Sequence, residues 1–126
     1  MAGPSTSKRA AEFMKKSHSA GKPFYIQISS YALHDSGNAL PETIEKYKKL
    51  MGDAKGQEVS RAAIMENLDT AIGQVLRELH RTGQDRDTLV LFASDNGGER
   101  FSYNWPFTGE KASVNEGGIR IPMILS

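Results

Sequence analysis

Between residues 59 and 82, apolar side chains recur at helical intervals. Ile64, Leu68, Ile72, Val75 and Leu79 stand four, four, three and four residues apart. At 3.6 residues per turn, those intervals place one apolar stripe on one face. Glu66, Asp69, Gln74, Arg77 and Glu78 largely fall elsewhere, and Gly83 follows as a stop signal. A second helical pattern runs from Lys8 to His18 through Ala10, Ala11, Phe13 and Met14. Gly21 stands where a C-cap glycine would end it. A third follows Pro41, a residue suited to a first helical turn, through Ile44, Tyr47, Leu50 and Met51. Gly52 to Gly56 breaks that pattern. Residues 1–7 are small and polar and read as a loose leader.

The remaining apolar runs are short. Phe24 to Ser30 (FYIQISS) predicts a buried strand, followed by a loop over 31–41 with Gly37, Asn38 and Pro41 as breakers. Leu89-Val90-Leu91-Phe92-Ala93 is continuously apolar, which suggests a strand buried on both faces of a helix-covered parallel sheet. Ser94-Asp95-Asn96-Gly97-Gly98 ends it abruptly. Residues 99–118 read as loop, with Trp105-Pro106 inside. Ile119 to Leu125 predicts a last strand, which Pro122 moves to an edge or starts late. The alternation implies an α/β class with layered helix-sheet-helix architecture. No internal repeat or low-complexity tract occurs. A strand-like run at the end of the chain and a long loop beside a short sheet predict a piece of a larger domain.

Composition narrows the function. The 126 residues carry 16 Lys plus Arg against 15 Asp plus Glu, a net charge of +1. That balance argues against a nucleic-acid or membrane-surface protein held by charge alone. The apolar share of 38% supports a modest core and excludes a disordered tail. With no cysteine, a disulfide framework, a thiolate zinc site and a cysteine nucleophile are excluded. No run of 18 apolar residues encodes a membrane span. The opening MAGPSTSKRAAEF lacks the apolar centre of a signal peptide, so no export address is expected and location stays open.

Candidate chemistry lies at the strand ends. Asp95 and Asn96 carry oxygens suited to a hard cation, calcium or magnesium, just beyond a predicted buried strand. Asn-Gly is equally the strongest hairpin signal, so a plain turn is the competing reading. His34 follows the first predicted strand, where a histidine can give a proton to a leaving group or meet an anion; an ordinary exposed residue is the alternative. Lys111 could neutralise an anionic oxygen, or be a solvated loop lysine. Arg120 fits a structural ion pair better than an anion site. His18 and His80 read as surface residues. Phosphate-loop, dinucleotide and serine-hydrolase motifs are absent.

Four stretches, in order, together resemble the sulfatase family, the formylglycine-dependent sulfuric ester hydrolases of the alkaline phosphatase superfamily. They are Lys22-Pro23-Phe24-Tyr25 with His34, Ala63-Ile64-Met65-Glu66-Asn67-Leu68-Asp69, Thr88 through Gly98, and Asn104-Trp105-Pro106 through Gly109-Glu110-Lys111 to Glu116-Gly117-Gly118-Ile119-Arg120-Ile121-Pro122. The resemblance covers about residues 8–125 and implies a partial sulfatase catalytic domain over 1–126, of alkaline-phosphatase-like fold. It implies Asp95 and Asn96 as ligands of a divalent cation, usually calcium. Lys111 is implied as a contact to the sulfate group, and His34 as the histidine facing sulfate and leaving oxygen. The substrate implied is a sulfated small molecule or glycan.

The departures are as informative. The nucleophile motif, C-x-P-x-R or S-x-P-x-R, does not occur in the chain, so the formylglycine is expected elsewhere. The family's first pair of metal aspartates is absent too, and so are the arginine beside the nucleophile, the earlier lysine and the earlier histidine. The family's His-x-Pro is here His34-Asp35-Ser36, and its second glycine before the lysine is Glu110. The reading is a sulfate ester hydrolase segment, inactive and self-associating when alone. The alternatives are a phosphatase or phosphonate hydrolase of the same superfamily, or a non-catalytic binding module.

Overall fold

The computed structural model describes residues 4–34, 39–99 and 102–126. Asp35, Ser36, Gly37 and Asn38 lie outside the described residues. The chain divides into two compact units, residues 1–86 and 87–126.

The first unit is helical: α1 (Pro4–Ser19), α2 (Pro41–Met51) and α3 (Gly56–Thr82), followed by a 3₁₀ turn at Gln84–Arg86. The three predicted helices form. α1 starts earlier than its apolar pattern, so residues 4–7 are helix and not a loose leader. Proline at the helix start costs no hydrogen bond, and Ser7 is buried with its Oγ donating to Gln74 Oε1 of α3 at 2.5 Å. The core is Ala10 and Met14 of α1 against Val59, Ala63, Ile64, Ala71 and Leu79 of α3. α1 ends as the glycine predicts: Gly21 has φ 62°, its N–H donates to His18 O, and Lys22 N–H reaches Ser17 O, both at 3.0 Å. Gly83, φ 70°, caps α3 in the same left-handed conformation.

Asn67 joins α3 to α2. Its Oδ1 accepts the N–H of Leu40, the cap residue of α2, at 2.8 Å, and its Nδ2 donates to the buried Thr43 Oγ1 at 2.9 Å. One side chain thus meets a free amide at the start of α2 and fixes which face of that helix meets α3. Nearby, Glu66 accepts from Lys46 Nζ at 2.5 Å. That bond holds the Glu66 carboxyl below its ordinary value and raises Lys46; a hydrogen bond to the same carboxylate raises Tyr47. At the end of α3, exposed His80 meets Asp85 at 2.8 Å, a bond that lowers the Asp85 carboxyl.

Residues 24–30 do not form the predicted strand. Phe24 and Ile26 are half-buried while Tyr25, Gln27 and Ile28 are exposed, so the alternation of a strand holds through Gln27 and breaks at Ile28. No ladder partner occurs among the described residues, and without one an extended segment is not a strand.

The second unit contains β1 (Leu91–Ala93), the short helical turn α4 (Glu116–Ile119) and β2 (Met123–Leu125). The strands pair antiparallel, in register Leu91 with Leu125, Phe92 with Ile124 and Ala93 with Met123. Val90 and Ser126 extend the ladder by exchanging two bonds of 2.8 and 3.0 Å. The expected parallel, doubly buried strand is therefore corrected: Leu91 is 58% exposed and Phe92 43%. An apolar run reports what a strand can bury, not the direction of its partner. The last strand starts late, after Pro122, because Ile119 belongs to α4.

Candidate functional site

The Ser94–Gly98 segment leaves β1 without forming a hairpin, since β1 pairs with the distant β2. It is locked by backbone contacts instead. Gly97 N–H donates to Gly118 O at 2.9 Å, and Lys111 N–H donates to Gly98 O at 2.9 Å. Gly117 N–H donates to Thr108 O at 2.8 Å. A Cβ at position 97 would overlap the carbonyl oxygen of Gly117, and one at position 117 would overlap that of Gly109. Three chain segments thus meet at backbone distance, which only glycine permits. This is the physical content of the glycine pairs in the sequence: they admit backbone to backbone.

The lock places the candidate residues. Asp95 is exposed and Asn96 half-buried at the end of β1; Ser94 Oγ donates to Asn96 O at 2.8 Å and braces the bend. Lys111 is half-buried and tied to the same segment through Gly98. Among the described residues, the Asp95 carboxylate, the Asn96 amide and the Lys111 ammonium have no side-chain hydrogen bond or ion pair. The structure therefore brings Asp95, Asn96 and Lys111 together on one scaffold. His34 belongs to the first unit, where it is exposed and packs edge-on to Tyr31 with ring centroids 6.5 Å apart.

Two residues with positive φ flank these candidates: Leu33 at 70°, before His34, and Ala112 at 72°, after Lys111. Each costs about 1 kcal/mol relative to a relaxed backbone. Nothing in the sequence marks them. Asn104, to which the sequence assigns no chemistry, donates through Nδ2 to Gly98 O at 3.0 Å and to Gly109 O at 3.2 Å. Glu110, in place of the family's glycine, takes its own turn: its N–H donates to Ser113 Oγ at 3.2 Å. Arg120 behaves as the sequence suggests, bonding Glu116 Oε2 at 2.6 Å over the Phe107 ring.

Carboxylate and amide oxygens side by side suit calcium or magnesium, so Asp95 and Asn96 fit part of a hard-cation shell. Among the described residues, no group of three acidic, histidine or cysteine side chains could complete it. Formylglycine does not fit: the chain has no cysteine and no S-x-P-x-R. Among the described residues, no helix is long and apolar enough to cross a membrane.

The sulfatase family model matches residues 5–126. The chain is 33% identical over 122 residues to a sulfatase of Formosa agariphila, covering 89% of this chain and 22% of that protein. It is 31% identical over 105 residues to arylsulfatase J of Mus musculus, covering 82% of this chain and 17% of the relative. To steryl-sulfatase of Rattus norvegicus it is 32% identical over 124 residues, covering 90% and 19%. Among solved structures, the crystal structure of Ps i-CgsB in complex with k-i-k-neocarrahexaose matches with TM-score 0.82 and 27% identity, over 94% of this chain and 26% of that one. The chain thus spans about a fifth of the length of these curated relatives. The α/β expectation holds in partial form, with α1, α2, α3, the short α4 and a small sheet among the described residues, and the chain belongs to the sulfatase family.

Proposed function

We propose that this chain supplies the later part of a sulfate ester hydrolase site. The observation that carries the reading is the glycine-locked junction, which mounts Asp95 and Asn96 beside the Lys111 loop. Asp95 and Asn96 would hold a divalent cation, calcium by family likeness, which when bound supplies positive charge to a transferring sulfate group. Lys111 adds a compact cationic donor for the sulfate oxygens. His34 is assigned to the leaving oxygen, where an imidazole can donate a proton. The covalent step needs a nucleophile this chain does not contain, so the isolated chain is expected not to turn over sulfate esters.

The relatives named above favour sulfate over phosphate esters. The saccharide bound by Ps i-CgsB supports a sulfated glycan as substrate class. The exposed Leu91, Phe92, Met123, Ile124 and Leu125 support self-association of the isolated chain.

The test transplants the whole chain into the Formosa agariphila sulfatase in place of the matching stretch. Hydrolysis of an aryl sulfate by the folded chimera, lost by at least about 100-fold in Lys111→Ala, is expected. A folded chimera without hydrolysis, or one indifferent to Lys111→Ala, overturns the reading.

A further inference from the structure

We propose that Asn104 is a positioning residue: its side-chain amide fastens the lysine loop to the segment carrying Asp95 and Asn96. It thereby fixes where the Lys111 ammonium stands. The inference rests on the proposed sulfatase reading for its functional meaning, and on the following geometry for its physical content.

Asn104 Nδ2 carries two hydrogens and uses them on two carbonyls, Gly98 O at 3.0 Å and Gly109 O at 3.2 Å. Gly98 lies two residues after Asn96, and Gly109 two residues before Lys111. Gly98 O also accepts the Lys111 N–H at 2.9 Å, so both of its lone pairs are engaged, one by Asn104 and one by Lys111. The anchor is itself held, because Phe107 N–H donates to Asn104 O at 2.8 Å. A side chain at position 98 would run into Asn104 Oδ1 and the Ser102 side chain, so the close approach of Asn104 needs glycine there.

The residue after Lys111 shows that the loop is constrained. Ala112 sits at φ 72°, a conformation an alanine keeps only where its surroundings enforce it. Lysine has a long, flexible stem, so the direction of its ammonium depends on a fixed Cα. No substitution of similar size reproduces the tether. Aspartate would turn carboxylate oxygens toward two carbonyl oxygens; alanine leaves Gly98 O with the Lys111 N–H alone and takes the side-chain donor from Gly109 O.

Two measurements test this. In the isolated chain, hydrogen exchange at the Lys111 amide is expected to speed up at least about tenfold in Asn104→Ala and Asn104→Asp, with helical circular dichroism retained. Unchanged exchange overturns the tether. In the chimera, Asn104→Ala is expected to lower kcat by up to about 100-fold with KM within about twofold. Asn104→Ala combined with Lys111→Ala should be no worse than Lys111→Ala alone, since the first acts through the second. Losses that multiply would assign Asn104 a merely structural role and overturn the inference. A chimera insensitive to Lys111→Ala removes the sulfatase reading instead, and the exchange result still decides whether the tether exists.

Discussion

In residues 4–86, packing is between side chains: Met14 is 1% exposed, Ile64 and Leu79 are each 3% exposed, and the helices meet through them. In residues 87–126 the tightest approaches are between backbones, with Gly97 against Gly117 and Gly117 against Gly109. In the first arrangement a changed volume is met by side chains that shift only in part, at the cost of the cavity that remains. The second has no side chain to yield, so one added methyl must move a carbonyl. Side-chain packing builds the helical body, while backbone packing sets atoms within the candidate site, where positions must be fixed to a fraction of an ångström.

The contrast can be broken from either side. Met14→Ala has the largest expected effect, a loss of about 3 kcal/mol from a cavity the helices cannot refill. A thermal melt followed by helical circular dichroism measures it, and a loss below about 1 kcal/mol would deny Met14 its central place. Gly97→Ala is expected to cost about 2 kcal/mol through displaced backbone. Its signature is local: protection of the Lys111 and Gly117 amides from exchange disappears. Retained protection at those amides would count against the lock.

The smallest effect is electrostatic and sharpens the helical side. Glu66 has a lowered folded value, so its bond to Lys46 contributes stability at pH above the ordinary glutamate value of 4.5. That contribution fades as pH falls through the lower folded value. Glu66→Gln should therefore lower the melting temperature slightly near neutrality, with the difference closing as pH falls below 4.5. The pair is exposed, so the change is small. An equal drop at all pH values would point to packing instead.

The helices were legible because period and stop signals are local: the stripe from Ile64 to Leu79 and Gly83 state α3 almost completely. Residues 4–7 do not read as helix in the sequence because Ser7 is fixed by Gln74, a partner 67 positions away. The antiparallel sheet was not legible from Leu89–Ala93, since strand direction depends on which segment arrives, and Met123–Leu125 arrives from the end of the chain. At the site, residue types pointed to Asp95, Asn96 and Lys111, but not to Asn104. Its role consists of two carbonyls that no sequence pattern displays.

The Gly97 bond has a further consequence, for chemical ageing. Asparagine followed by glycine is the pair most exposed to spontaneous deamidation: the deprotonated glycine nitrogen attacks the asparagine Cγ, ammonia leaves, and water opens the resulting cyclic imide to aspartate or isoaspartate. At Asn96-Gly97 that nitrogen donates its hydrogen to Gly118 O at 2.9 Å, which opposes both its deprotonation and its turn toward Cγ. The folded chain should therefore hold Asn96 unchanged through incubation at pH 8, while the same chain in concentrated urea gains the mass of deamidation on the peptide spanning it. Equal rates in the two conditions would show that the bond gives no protection. With protection, the lock that positions a candidate metal ligand also sets how long that ligand remains an asparagine.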